Sequence, residues 1–255
     1  IIDSLNNQNV CVDAVAGSGK TTLALHIALK YPKKNILLLT YNARLKTETR
    51  ERIDDLQISN LEAHSFHAFG YKYYQKGCRN DIYLKQIIKQ KKDPILSFKY
   101  DLIIVDEAQD MKELFYEFIL KLVKDNEKEA KICIMGDKFQ TIYQCFGADG
   151  RYLTMAPKLF NINNFEWTVL PLHYTWRLTK SITTFVNKVV LQSNRLKTMK
   201  VNDQKIEYKI LNIYGNNISI YFKKIFSKLF KLGYEDKDIF ILAPSTKSTG
   251  NTSVN

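Results

Sequence analysis

NVCVDAVAGSGKTTLALHIALK, residues 9–30, decides the fold. Its opening, NVCVDAV, alternates apolar and polar residues and is rich in Val, which predicts a β-strand. Lys20 to Lys30 set Leu23, Ala24, Ile27 and Ala28 at helical spacing. Between them AVAGSGKTT (14–22) is a glycine loop meeting a helix N-terminus, where free N–H groups and the helix dipole favour an anion. Gly17 and Gly19 let the backbone close around phosphate oxygens. Lys20 can reach the β- and γ-phosphates, and the Thr21 hydroxyl can bind Mg²⁺. The candidate triphosphate contacts are therefore Ala16, Gly17, Ser18, Gly19, Lys20, Thr21 and Thr22. The strict pattern GxxxxGK[ST] fails at Ala14; the pattern that fits is AxxGxGKT. A chance glycine turn is the bland alternative, and the flanking strand and helix argue against it.

The chain has 255 residues, enough for one large domain or two small ones. With 45% hydrophobic and 25% charged residues it is globular, not disordered. A net charge of +12 suits a polyanionic partner, although a Lys-rich solvated surface, or AT-rich coding, gives the same balance. The four cysteines, Cys11, Cys78, Cys133 and Cys145, have neither metal-ligand nor disulfide spacing. Cys11 and Cys133 fall in expected core strands, where a thiol acts as a small hydrophobe. That points to a reducing intracellular compartment, cytoplasm or nucleus, with a viral source compatible. No apolar run approaches the roughly 18 residues of a membrane span, and there is no signal peptide, so no membrane partner is expected. The chain begins at Ile1, not Met, as a fragment or trimmed product would.

Strands are expected at 9–15, 35–40, 101–106, 131–136, 167–171, 206–212 and 238–243, and helices at 20–30, 43–57, 65–76, 82–91, 111–124, 179–192 and 217–232. Alternating strands and helices predict an α/β fold, a parallel sheet with helices on both faces. Runs such as ILLL (36–39) and LIIV (102–105) suit strands buried on both sides. The Asn cluster in LFNINNFEW (159–167) suggests a boundary, giving domains 1–163 and 164–255. The helix at 217–232 carries Ile218, Phe222, Ile225, Phe226 and Leu229 on one face, with lysines mostly off it and Gly233 as C-cap. It reads as an outer helix packing on a second sheet; a membrane-surface helix has a similar pattern.

DLIIVDEAQD (101–110) is a buried strand ending in acids. A carboxylate at a strand's C-terminal end, near a phosphate loop, can hold Mg²⁺ through water, and Asp106 fits. Glu107 can polarise an attacking water. Two adjacent acids there are costly unless solvated or metal-bound, which argues against a purely structural role.

In this order the motifs resemble superfamily 1 DNA helicases of the UvrD/Rep class, over nearly the whole chain. The phosphate loop is similar to that family's first motif, LLLTYNARLK (37–46) to its second, and EAHSFHAFG (62–70) to the next. DEAQD, IMGDKFQTIYQCFGAD (134–149) and LPLHYTWRLTKSITTFVN (170–187) resemble the later ones. The resemblance implies a P-loop NTPase with a RecA-like ATP-binding domain, a very small insertion at about 71–98 and the start of a second RecA-like domain. It implies ATP and Mg²⁺ as cofactors. Gln140 then senses the γ-phosphate, with Asp137 supporting its loop. Arg177 reaches that phosphate from across an interdomain cleft, and Trp176 stacks on adenine where the family has Tyr. Tyr41, Asn42, His64 and Tyr143 then line the path of a single strand, aromatics suiting any base; core packing is the alternative for Tyr41 and Tyr143. Phe66 and Phe69 suit core packing. Cys145 replaces an aromatic and Phe146 an Arg of the family pattern, and the chain ends before the family's last two motifs. The compact insertion resembles the F-box DNA helicase branch.

The leading expectation is an ATP-dependent helicase or translocase, moving 3′→5′ on single-stranded DNA by family analogy. The residues do not separate DNA from RNA and leave the oligomeric state open. A nucleic-acid-binding P-loop module with weak or no turnover is the second, favoured by Cys145 and Phe146. A small phosphotransferase is the third; Gln140 and the Trp176–Arg177 pair argue against it.

Overall fold

The computed structural model describes residues 1–203, 206, 207, 210 and 217–241. Residues 1–204 form one compact unit and 205–255 another. The first unit is built on a six-stranded sheet of β1 (Asn9–Ala14), β2 (Ile36–Thr40), β3 (Leu61–Ser65), β4 (Leu102–Asp106), β5 (Lys131–Gly136) and β6 (Trp167–Leu172). Its order is β3-β2-β4-β5-β1-β6, and every pairing is parallel. Parallel neighbours need crossovers, which helices supply: α1 (Lys20–Lys30), α2 (Ala43–Asp55), α3 (Phe66–Tyr73), α4 (Asp81–Lys89), α5 (Glu113–Asp125), and the short α6 (Arg151–Thr154) and α7 (Ala156–Leu159). This is the expected α/β, RecA-like arrangement.

Each central strand feeds two cores, because alternate side chains leave opposite faces. Leu37, Leu39, Ile103, Val105, Ile132 and Ile134 join one, closed by Phe115, Phe118, Ile119 and Leu122 of α5. Ile36, Leu38, Leu102, Ile104, Cys133 and Met135 join the other, beneath Ala24, Leu25, Ile27 and Ala28 of α1. Each buried Leu or Ile stabilises by about 1.5–3 kcal/mol, so the strand ends that carry polar residues are held firmly. Phe66 and Phe69 lie in the first core, as expected.

The boundary expected at 163/164 is corrected by two features. β6 joins the first sheet in register with β1, from Asn9↔Trp167 to Ala14↔Leu172. The asparagines taken for a linker stitch strand starts together: Asn9 Nδ2 donates to Asn163 Oδ1 (2.7 Å), and Asn163 Nδ2 to Ala130 O (2.8 Å). β3 was not anticipated, because Glu62 and His64 break its apolar pattern. The expected helix at 179–192 begins as α8 (Lys180–Phe185) and continues as a π-helix through Leu191. A two-stranded parallel pair, β7 (Tyr174–Thr175) and β8 (Lys197–Thr198), completes this unit.

In the second unit, α9 (Asn217–Lys231) half-buries Phe222, Ile225, Phe226 and Leu229 and exposes Lys223, Lys224 and Lys228. Gly233 follows at φ 89°. Of the strand expected at 206–212, Ile206, Glu207 and Ile210 are not strand, and its other residues lie outside the described ones. At 238–243, Asp238 closes a 3-10 turn and 239–241 are irregular; 242 and 243 lie outside the described residues. Among the described residues no helix is long and apolar enough to cross a membrane.

Candidate functional site

The phosphate loop joins β1 to α1 at the C-terminal edge of the sheet. Gly17 (φ 68°) and Gly19 (φ 88°, the N-cap of α1) take backbone conformations that side chains resist. Gly17 has a second reason to be glycine: a Cβ there would lie 2.4 Å from Arg177 Cβ and 3.0 Å from Thr175 Oγ1. Ala16 flanks Gly17, half-buried. Ser18 is buried and its hydroxyl has no partner. Lys20 and Thr21 open α1 with Thr22, whose Oγ1 accepts from Arg52 Nη2 (3.1 Å).

Asp106 ends β4 opposite Thr40 of β2, and both are buried. Burial, with Glu107 adding to it, pushes the Asp106 carboxyl well above the usual carboxylate range, against the pull of Lys20. Thr40 Oγ1 has no partner either. Orphaned hydroxyls at Ser18 and Thr40, a buried acid raised in pKa, and two left-handed glycines fit a loop made to meet polar ligand atoms. Thr21 and Asp106 would hold Mg²⁺, a metal that keeps much of its shell as water and substrate oxygen, so two protein ligands suffice. A metal there would favour the ionised carboxylate of Asp106 and balance its charge.

Glu107 sits at φ 53°, a strained region for a non-glycine residue. One carboxylate oxygen lies 3.3 Å from Lys20 Nζ, and the other accepts from Gln109 Nε2 (2.8 Å). Gln109 Oε1 in turn accepts from the N–H of Asp137 (3.1 Å). A Cβ at Gly136 would fall 2.4 Å from that same oxygen, so a side chain there would push the Gln109 amide aside. Asp137 starts the next turn: its carbonyl accepts from Gln140 N (2.9 Å) and its carboxylate from Phe139 N (3.1 Å). Glu107 and Gln140 are thus brought together, through Gln109, which sequence reasoning passed over within DEAQD.

A cavity of about 970 Å³ opens on this edge, lined by Glu107, Gln109, Gln140, Tyr143, Tyr41 and Asn42 among others. Tyr41 and Tyr143 are half-buried with ring centroids 5.7 Å apart, and Tyr41 meets Phe115 edge-on at the same spacing. Asn42 is exposed and caps α2, accepting from Arg44 N (2.8 Å). Phe139, Ile142 and Phe146 are exposed nearby.

Two expected placements are corrected. His64 is not the open stacking residue expected: it is 3% exposed, wedged against Phe69 and Tyr73, with both ring nitrogens engaged, although it borders a second cavity of about 830 Å³ with Arg50, Tyr71 and Lys72. Nε2 meets Glu62 (2.7 Å) and Nδ1 meets Arg50 (3.1 Å); the guanidinium can only donate, so Nε2 carries the proton. Burial lowers the His64 pKa further. So placed, its ring presents no open face to a base. Arg177 does not lie across a domain cleft: it belongs to the unit that carries the phosphate loop, tied there by Trp176 N donating to Gly17 O (2.9 Å). Trp176 is 62% exposed, and Arg177 is exposed. Sequence reasoning also missed Arg195, whose guanidinium reaches Asp13, Ala14 and Asp137; a lone Arg beyond a helix carries no signal.

Among known proteins, a probable DNA helicase II homolog of Mycoplasma capricolum subsp. capricolum is 31% identical over 63% of this chain. That match spans 22% of the relative's own length. Arterivirus nonstructural protein 10 (helicase) aligns over 81% of this chain and 47% of its own at 12% identity, TM-score 0.44. Bacteroides sp Pif1 in complex with ADP-AlF4 aligns over 73% and 43% at 18% identity, TM-score 0.41. The chain therefore spans under a quarter of the curated relative and less than half of these structures. Residues 1–146, more than half of the chain, match the AAA_19 model, an AAA domain, and the chain belongs to that family.

Proposed function

We propose that this chain is the ATP-binding motor portion of a DNA helicase or translocase, hydrolysing ATP to move 3′→5′ on single-stranded DNA. The supporting observation is the shared wall: Glu107 and Gln140 line the same cavity as Tyr41 and Tyr143, while Glu107 also touches Lys20 of the phosphate loop. ATP and Mg²⁺ would sit on Gly17, Gly19, Lys20, Thr21 and Asp106. When bound, Mg²⁺ offsets phosphate charge. Glu107 would orient and accept a proton from water, Gln140 would contact the γ-phosphate end, and Arg177 would supply a cation. Single-stranded DNA would lie on Tyr41 and Tyr143 with little sequence preference. The choice of DNA over RNA rests on likeness to the Mycoplasma relative, named a probable DNA helicase II homolog, and the polarity rests on the resemblance of the motifs alone. A reducing intracellular compartment is part of the same proposal.

Steady-state ATP hydrolysis by the parent and Glu107→Gln, with and without oligodeoxynucleotide or oligoribonucleotide, tests it. Turnover that requires Glu107 and rises with single-stranded DNA supports the proposal. Tight strand binding with no Glu107-dependent turnover would instead support a binding module, to which the exposed Cys145 and Phe146 are suited.

A further inference from the structure

Asp13 near the end of β1 and Asp137 just beyond β5 lie side by side, since Asp13 pairs with Gly136. Two carboxylates at neighbouring strand ends repel unless a cation joins them. Arg195 is that cation. Nη2 donates to Asp13 Oδ1 (2.6 Å) and to Ala14 O (2.6 Å), and Nη1 to Asp137 Oδ1 (2.8 Å). The side chain is 8% exposed, and its guanidinium carbon sits 5.0 Å over the Phe139 ring. Although burial works to raise it, the Asp13 pKa is held below its ordinary value by Arg195, with help from Lys138 and His173.

The contacts of Arg195 are functional landmarks. Ala14 begins the phosphate loop. Asp137 Oδ1, the oxygen that Arg195 grips, also accepts from Phe139 N, so the same atom fixes the turn carrying Gln140. From the Asp137 N–H the chain of hydrogen bonds runs through Gln109 to Glu107. Arg195 is itself held: Asn187 Oδ1 accepts from Leu196 N (3.0 Å) and Asn187 Nδ2 donates to Leu196 O (2.9 Å). β8, which follows, pairs with β7, and β7 leads into Trp176 and Arg177.

We propose that Arg195 is a positioning residue that locks the Gln140 turn and, through Gln109, Glu107 in register with the phosphate loop and with the segment after β7 that carries Trp176 and Arg177. Lysine cannot replace it, because a single ammonium lacks the planar fork that spans Asp13 and Asp137 at once. Guanidinium geometry, not charge alone, is what the site uses.

The consequence for turnover rests on the ATPase proposal above; the consequence for the turn does not. In the 255-residue chain, hydrogen exchange read by mass spectrometry should show residues 137–143 exchanging about 10-fold faster in Arg195→Lys. Central-strand amides of β2 and β4 should be unchanged. Where the parent hydrolyses ATP, kcat should fall about 10-fold in Arg195→Lys with KM for ATP within about 3-fold. Asp137→Asn, which keeps the shape but weakens the grip, should reproduce both effects in milder form even where Arg195→Ala fails to fold. A parent without turnover would defeat the ATPase proposal and leave the exchange result to decide on Arg195. Unchanged exchange at 137–143 in Arg195→Lys, or a loss of protection spread evenly over the sheet, would overturn the positioning role.

Discussion

Lys20 Nζ lies 3.3 Å from Glu107 Oε1, both side chains largely screened from solvent at 10% and 27% exposure. The phosphate-loop lysine is thereby held at the acid end of β4. A triphosphate would compete with Glu107 for this ammonium and release the carboxylate. We predict that Lys20→Ala weakens Mg–ATP binding at least about 10-fold, or roughly 1.4 kcal/mol. Glu107→Gln should bind ATP as well as or better than the parent. Titration with a fluorescent ATP analogue checks both.

Gly17→Ala should be worse than Gly19→Ala. Both take positive φ, a cost of about 1–3 kcal/mol for an ordinary residue. Only at Gly17 does the new Cβ also strike the Thr175–Arg177 segment; at Gly19 the nearest atom found is Thr22 Cβ at 3.8 Å. Thermal unfolding should show a larger loss for Gly17→Ala, and digestion should cut faster near Trp176. Equal losses would mean that the segment does not rest on the loop.

Tyr143→Ala and Tyr41→Ala should each weaken single-strand binding by about 1–3 kcal/mol, the contribution of one stacked base. Fluorescence anisotropy with oligo-dT measures this. His64→Ala should leave strand affinity nearly unchanged and lower stability instead, since it strips partners from Glu62 and Arg50. A His64→Ala variant that folds as well as the parent but binds DNA poorly would return His64 to the strand path.

Acid should weaken the fold through the same cluster. Burial lowers the His64 pKa from its ordinary value near 6.5, so the folded state disfavours the charged ring. A depressed pKa contributes stability above the unfolded value that is lost as pH falls through that value toward the folded one. Burial alone would raise Glu62, but bonds from His64, Lys72, Tyr100 and Tyr73 win and depress it, so its contribution is lost further into acid. Melting temperature should therefore drop from pH 7 to 5 and again below about pH 4.3. His64→Gln should flatten the first step only; an unchanged first step would assign it to another group.

What the sequence made legible followed from burial. ILLL and LIIV carry the two-sided strand signal, and the glycines between β1 and α1 mark a loop, so five of the six sheet strands and the place of the phosphate loop were foreseeable. β3 was hidden because Glu62 and His64 are polar residues satisfied by one another and by Arg50, Lys72, Tyr73 and Tyr100, a compensation local patterning cannot display. Asn163 resembled a linker residue because Asn favours loops; only its distant partners Asn9 and Ala130 make it structural. Arg195 escaped for the same reason: Asp13 and Asp137 become its neighbours only when β1 and β5 pair.

The central claim is that one wall serves the nucleotide and the strand, so that each ligand changes the affinity of the other. The direct measurement is the oligo-dT affinity of the 255-residue chain with and without a Mg-bound, non-hydrolysable ATP analogue, repeated with Gln140→Ala. Coupling between linked sites ranges from about 5-fold to 150-fold. The account predicts a shift of at least about 5-fold in the parent that shrinks toward none in Gln140→Ala. A parent that binds both ligands, with a strand affinity indifferent to the analogue, would contradict it.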